Sequence, residues 1–332
     1  METATLQSFL DAFRSKRVLV IGDIMLDRFL WGNVSRISPE APVPIVHVTR
    51  ESAYPGGAAN VARNLAPFAK SVSLLGITGA DSHANQLLDL IRETGIGTDG
   101  ILQNSAHETI VKTRVISRSQ HVVRIDRERP QAISAEAMQQ VWTWLEPQLP
   151  NLDAIILEDY AKGLITQEFV DALALKLRGH PIILTVDPNP GNPISWKAAT
   201  AIKPNRKEAF AAAALTDPGE VSEAQLMASL QPLAERLFSQ WDTQMLLVTL
   251  GENGMALLEK SAPSYHTPTR AREVFDVSGA GDTAIALFTL ALAAGATGPQ
   301  AAEISNLASG IVVGKIGTAT VTPQELLDFS AA

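Results

Sequence analysis

The chain has 332 residues, 46% of them hydrophobic, with 35 acidic and 27 basic side chains, a formal net charge of −8 and no cysteine. That length suits roughly two domains, or one large α/β domain with an insert, and the apolar share suits a globular protein with a sizeable core. The missing cysteines exclude disulfides, thiol nucleophiles and cysteine zinc sites, the six scattered histidines form no His-x-x-x-His pair, and an acidic balance without a long basic block argues against a nucleic-acid surface.

Residues 1–18 read as an amphipathic helix with Leu6, Phe9, Leu10 and Phe13 on one face. They are acidic and polar where a secretory signal is cationic and then apolar, so a cytoplasmic protein is expected. A strand at 17–23 follows. Residues 28–48 alternate, carry Pro39, Pro42 and Pro44 and show no helical period, which predicts antiparallel strands with edge or turn prolines. A strand at 71–79 leads to a helix at 82–94. Residues 108–128 alternate again, and with 28–48 they are expected to form a small antiparallel lid sheet. Then come a helix at 134–149, a strand at 153–160, a helix at 166–179, a strand at 181–189, a helix at 222–239 and a strand at 245–254. Helices at 282–294 and 299–314, a Gly-rich turn and a short helix end the chain. The longest apolar run, Ala284 to Ala294, is too short to span a bilayer, so no membrane association is expected.

The strand-like runs show little period-2 alternation, which places both of their faces in a core. Strand–helix alternation with two-sided burial predicts an α/β fold: a doubly wound, mostly parallel sheet flanked by helices, with a small β lid. Ligands in such sheets sit at the carboxyl ends of the strands. The polar residues that end the runs become site candidates by position: Asp23, Asp27, Asp159, Asp187, Asn189, Thr249 and Asp276.

The stretch DVSGAGDTA, Asp276 to Ala284, lies between a β-prone run, REVFDV, and an apolar helical run. A Gly-rich turn there could cradle a phosphate, serve as a dinucleotide fingerprint, or be a capped turn without chemistry. Small residues at 279–281 let backbone N–H groups reach an anion, and the helix adds its positive end. Asp282 is then either a cap or a carboxylate placed to take a proton from an attacking hydroxyl. Gly279-x-Gly281-x-x-Ala284 fits the dinucleotide pattern, but only about fifty residues follow, too few for the strands that pattern needs; Glu303, at the right distance for its acid, sits in a helical pattern. Residues 310–316, GIVVGKI, lack P-loop spacing.

The sequence resembles the ribokinase-like (pfkB) sugar kinases over nearly its whole length. PGGAANVARNLA (55–66) with LLGITGAD (74–81), and DVSGAGDTAIALF (276–288), carry the resemblance, supported by KPNRKE and VTLGENGMALL between them. Within that family, RISPEAPVPIV, EDYAKG and VVGKIGTATVTPQEL resemble the D-glycero-β-D-manno-heptose 7-phosphate kinases of lipopolysaccharide-core synthesis. The resemblance implies one kinase domain over 1–332, with the lid from about 28–48 and 108–128. It implies Asp282 as catalytic base and Gly279, Ala280 and Gly281 as the anion hole for the transferring phosphate. Asp276 and Ser278 would support the loop and help bind a monovalent cation such as K⁺, with carbonyls near Val312 and Gly317. Asn205 and Glu208 match an Asn-x-x-Glu element that organises Mg²⁺, water and phosphates. Thr249, Gly251, Gly254 and Asn306 would line the ATP site; Lys203 is read either beside it or as a surface lysine. On the sugar side the resemblance points to Asp27, Asn60, Gly56 and Gly57, with Asp23 and Asp187 as further candidates. Cations for a sugar phosphate come from Lys112, Arg114, Arg118 and Arg124, expected on one strand face by their even numbering, and from Lys162.

The resulting expectation is an ATP- and Mg²⁺-dependent kinase of heptose 7-phosphate that makes the 1,7-bisphosphate, a homodimer through its lid. Without a His-x-Gly-His motif, no fused nucleotide-transferring domain is expected. The rivals are the same fold acting on fructose 6-phosphate, ribose or a nucleoside, an NAD-dependent dehydrogenase, and a non-catalytic sugar-binding protein.

Overall fold

The computed structural model describes residues 1–117, 120–271, 273–315 and 317–331. Helix α1 (Thr3–Phe13) leads into β1 (Arg17–Gly22), and the hairpin of β2 (Ile24–Ile37) and β3 (Pro44–Gly57) runs into α2 (Ala58–Leu65). Next come β4 (Ser71–Thr78), α3 (Ser82–Arg92), β5 (Gly97–Gln103), β6 (Ile110–Ser117), β7 (Gln120–Arg127) and α4 (Ala135–Leu145). The middle of the chain holds β8 (Ala154–Glu158), α5 (Gln167–Lys176), β9 (Ile183–Asp187), β10 (Ala199–Ile202), α6 (Arg206–Ala212) and α7 (Glu223–Gln240). The rest is β11 (Thr243–Thr249), β12 (Met255–Glu259), β13 (Ala262–Thr267), α8 (Ala280–Ala293), α9 (Gly298–Val312) and α10 (Pro323–Ala331).

Among the described residues, nine strands form one sheet in the order β13-β12-β11-β10-β9-β8-β1-β4-β5, parallel from β5 through to β11 and antiparallel at β12 and β13. The burial explains the missing alternation. Along β1, Val18 and Val20 enter one core with α1, α2, α3, α8 and α9, while Leu19 and Ile21 enter the other with α4, α5 and α7. Each strand side chain therefore finds an apolar partner whichever way it points. α8 is buried from Thr283 to Leu292 on every side, which is why its sequence has no polar face. No helix among the described residues is long and apolar enough to cross a membrane.

A second, smaller sheet is present where the lid was expected, but its build differs from the expected one. Its four strands, in the order β3-β2-β6-β7, run over 24–57 and 110–127, and β2 pairs with β6 in parallel. Alternation reports two faces but not strand direction, so the parallel pair was invisible in the sequence. The chain also reverses between β6 and β7: Arg114 stands opposite Arg124 and Lys112 opposite Asp126. Lys112 and Arg114 thus share a face along β6 as expected, while Arg124 joins them through cross-strand pairing; Arg118 lies outside the described residues. Four strands went unread, β5, β10, β12 and β13, because each is short or interrupted by glycine and polar residues. The run before the Gly-rich turn is not a strand: the described residues 273–278 are irregular, which also deprives the dinucleotide pattern of its strand.

Candidate active site

The order of strands reverses around β1, whose neighbours β4 and β8 come from opposite directions along the chain, so the crevice opens at the carboxyl ends of these strands. Glu158 ends β8, Asp187 ends β9, Lys203 follows β10 and Thr249 ends β11. Facing them is the amino end of α8. Gly279 caps it with φ 80°, a left-handed conformation, and a Cβ there would come within 2.9 Å of Asn60 Nδ2. The turn is kept by Asp276, whose carboxylate accepts from Ser278 N at 2.9 Å and Gly317 N at 3.1 Å.

Asp282 lies in the first turn of α8. Its Oδ2 accepts from Asn60 Nδ2 at 2.6 Å, bringing together two motifs that are 222 residues apart. Thr283 Oγ1 donates to Asn64 Oδ1 at 2.8 Å and locks α8 to α2 beside this contact. Glu158, Asp187 and Asp282 each offer a carboxylate oxygen, all within 4.8 Å of one another. Lys203 is 4% exposed, and its Nζ donates to Asp187 Oδ2 at 2.8 Å. Three carboxylates around one ammonium cannot all ionise freely. Burial pushes the Asp187 carboxyl up to about 7 against the pull of Lys203. Burial, then Asp187 and Asp282, hold Glu158 well above the carboxylate range. Burial raises Asp282 too, with Asn60 and Lys203 working the other way. Burial works against the Lys203 ammonium, but Asp187 and Glu158 outweigh it and hold it above its ordinary value.

Sequence reasoning missed Glu158 and Tyr160 and read Lys203 as a possible surface residue. Position at a strand end was the available signal for Glu158. Nothing along the chain shows that two strand ends and the first turn of α8 deliver their carboxylates to one point. Tyr160 packs against the same cluster, where burial and the neighbouring Asp282 raise its hydroxyl.

Beside Gly281 a cavity of about 460 Å³ is lined by Thr249, Gly251, Gly254, Ala280, Gly281, Asn306 and Val313, so the residues expected around a nucleotide share one space. The NH₂ group of Asn306 is taken by Thr267 Oγ1 at 2.9 Å and the Pro268 carbonyl at 2.6 Å. Asn205 and Glu208 form the capping box of α6, Asn205 Oδ1 accepting from Glu208 N at 3.0 Å and Glu208 Oε2 from Asn205 N at 2.7 Å. They stand outside the three-carboxylate cluster.

On the opposite side, Gly56 runs against Asp27, where a Cβ would meet Oδ2 at 2.1 Å; Gly57, at φ 60°, passes the Asp23 carbonyl. Asp27 is buried and accepts from Arg114 Nη1. Asp23 is committed to the loop after β8: its Oδ2 accepts from Tyr160 N at 3.0 Å and Lys162 N at 3.1 Å. It braces the site as a turn anchor. Of the expected phosphate cations, Lys162 in the loop after β8 pairs with Glu128 at 2.8 Å, while on the small sheet Arg124 binds Asp126 and Lys112 Nζ lies 5.4 Å from the centre of the Tyr160 ring.

The sequence profile of the pfkB family carbohydrate kinases matches residues 15–325. The bifunctional protein HldE of Magnetococcus marinus is 46% identical over 320 residues, which cover 95% of this chain and 64% of that protein. HldE of Desulfatibacillum aliphaticivorans is 42% identical over 327 residues, 98% of this chain and 65% of its own. The chain thus spans about two thirds of the length of these relatives. Among solved structures, phosphofructokinase-2 from Escherichia coli in complex with substrates and products superposes with a TM-score of 0.75 at 17% identity, covering 96% of this chain and 98% of its own. Ribokinase from Thermotoga maritima does so with a TM-score of 0.74 at 20% identity, covering 96% and 100%. At such identities the likeness is one of fold, and the fold is ribokinase-like.

Proposed function

Since this chain belongs to the pfkB family of carbohydrate kinases, we propose that it transfers the γ-phosphoryl group of ATP to the anomeric hydroxyl of D-glycero-β-D-manno-heptose 7-phosphate. The observation that carries the kinase chemistry is the Asn60–Asp282 contact at 2.6 Å, which sets a carboxylate between the sugar-side glycines and the amino end of α8. The similarity to HldE supports the acceptor.

In this reading the acceptor lies between Asp27, Asn60 and the backbone of Gly56 and Gly57. Asp282 accepts the proton of the attacking hydroxyl, and the N–H groups at 279–281 stabilise the charge on the transferring phosphoryl group. Lys203 stands near that space; a Cβ on Gly281 would be 3.5 Å from its Nζ. Lys112, Arg114 and Lys162 serve the 7-phosphate, and its arrival would exchange the present ion pairs of Arg114 and Lys162 for phosphate contacts. A hard divalent cation fits the carboxylates of Glu158 and Asp187 beside the base, since Glu158 Oε2 is buried without a partner. Mg²⁺ there, with water held by Asn205 and Glu208, would neutralise phosphate charge. Asp276 and the adjoining loop are the place for K⁺. Val123, Ile125, Ile37 and Val48 are exposed on the lid and support pairing of two lids in a dimer.

The test is ADP release with Mg-ATP and the heptose phosphate, beside fructose 6-phosphate and ribose, for wild type and Asp282→Asn. Turnover with the heptose phosphate alone is expected, with a loss of at least about 10²-fold in the variant. Preference for another sugar refutes the acceptor, and a fully active variant refutes the base.

A further inference from the structure

The base and the asparagine that faces it are held by a third residue. Arg63 lies three positions after Asn60 in α2, so the helix puts both on one face. Its Nη1 donates to Asn60 Oδ1 at 3.1 Å, while Asn60 Nδ2 donates to Asp282 Oδ2 at 2.6 Å. A carboxamide has nearly the same shape either way round, and only its partners decide which end faces where. A guanidinium has only donors, so it takes the oxygen end. A carboxylate has only acceptors, so it takes the NH₂ end. Asn60 is 1% exposed, so water is poorly placed to replace a lost donor. Arg63 is itself fixed: its guanidinium lies 5.6 Å from the Tyr54 ring centre, and Nη1 is 3.4 Å from the Thr318 carbonyl.

We propose that Arg63 is a positioning residue for phosphoryl transfer, orienting the Asn60 amide so that its NH₂ group holds the Asp282 carboxylate toward the acceptor hydroxyl. The proposal rests on the kinase reading above. When Arg63 is lost, the carboxylate still draws the NH₂ end, but the oxygen end of the amide has lost its anchor, so Asn60 is free to shift on its side-chain torsions. The base it holds then moves out of line with the acceptor hydroxyl. The other groups that set its charge are Lys203 from the segment after β10, Asp27 from β2, Glu158 and Tyr160 from the end of β8, and Asp187 from the end of β9. Arg63 reaches the base through Asn60.

The decisive experiment is a double-mutant cycle of Arg63→Ala and Asn60→Ala, run on whichever acceptor the wild type phosphorylates, with Arg63→Lys as the conservative variant. Arg63→Ala is expected to lower kcat by about tenfold or more, up to the 10²-fold that misplacement by about 1 Å brings, and to leave KM for the acceptor within about twofold. Arg63→Lys keeps one donor and should recover most of the loss. In the Asn60→Ala background, removing Arg63 should change kcat by less than about twofold, since the amide it orients is gone. Independent losses that multiply, or a raised KM with an unchanged kcat, overturn the proposal and leave Arg63 a packing residue. The proton signals of the Asn60 NH₂ group in the ligand-free protein report its contact with Asp282 and need no acceptor, so a wrong acceptor cannot be mistaken for a failure here. They should move toward the position of a free amide in Arg63→Ala, and unchanged signals count against the role of Arg63.

Discussion

Lys203 brings a positive charge into a place where almost no water follows, and it does so beside three carboxylates. Removing one partner of a buried pair costs more than the pair itself contributes, because the other charge stays behind. Lys203→Met is therefore expected to destabilise the protein by about 3–5 kcal/mol in urea unfolding at pH 8. Lys203→Met/Asp187→Asn should recover most of that. The cost should also shrink at pH 5.5, where a carboxyl pushed up to about 7 is protonated and needs no counter-charge. A single variant as stable as wild type would show that the ammonium is not what balances this cluster. Asp282 was legible because it follows the Gly-rich turn at the head of a helix, and Asn60 because its motif resembles the family's. Their contact was not, since it joins positions 222 apart.

At the scale of elements, α6 poses a question of double use. Asn205 and Glu208 close a capping box, and the kinase reading also needs them near Mg-ATP. Asn205→Ala should cost about 1 kcal/mol, as a lost cap does. Asn205→Ser keeps the cap, so its thermal midpoint should stay within a few degrees of wild type while its KM for Mg-ATP rises severalfold. An unchanged KM would mean that the pair is only a cap. The central helices and core strands were legible because their apolar runs are long or their burial is two-sided. α4 ends at Leu145 in a 3₁₀ turn through Asn151, earlier than its period suggested, because the segment contains Pro147 and Pro150. β12 and β13 form an antiparallel edge hairpin whose second strand is largely exposed, so it lacks the apolar signature that marked the central strands.

For the whole molecule, the raised carboxyls set the pH dependence of stability. A group whose folded pKa lies above its unfolded value contributes stability at low pH and loses it as pH rises through the folded value. Burial raises Asp159 to about 6 and Asp187 to about 7, and Glu158 and Asp282 also move up. The ligand-free protein should therefore unfold at a lower temperature at pH 8 than at pH 5.5. Glu158→Gln removes a buried carboxyl whose Oε2 has no partner, and it should narrow that difference. A midpoint that rises steadily from pH 5.5 to 8 would contradict the picture. Saturating Mg-ATP should raise the midpoint most at pH 8, where the cluster is most in need of a cation.

By itself the sequence determined the α/β class, the two-sided burial of the parallel strands, the amphipathic first helix, and the Gly-rich turns that let backbone approach a ligand. All of these follow from local periodicity or from the steric freedom of glycine, which neighbouring residues express without help. Only the tertiary structure decided that Glu158, Asp187, Lys203 and Asp282 meet at one point, that β2 and β6 run parallel, and that Arg63, Asn60 and Asp282 form a chain. Those facts depend on which strand ends lie side by side. Strand order is settled by packing across the whole sheet, and no stretch of the chain contains it.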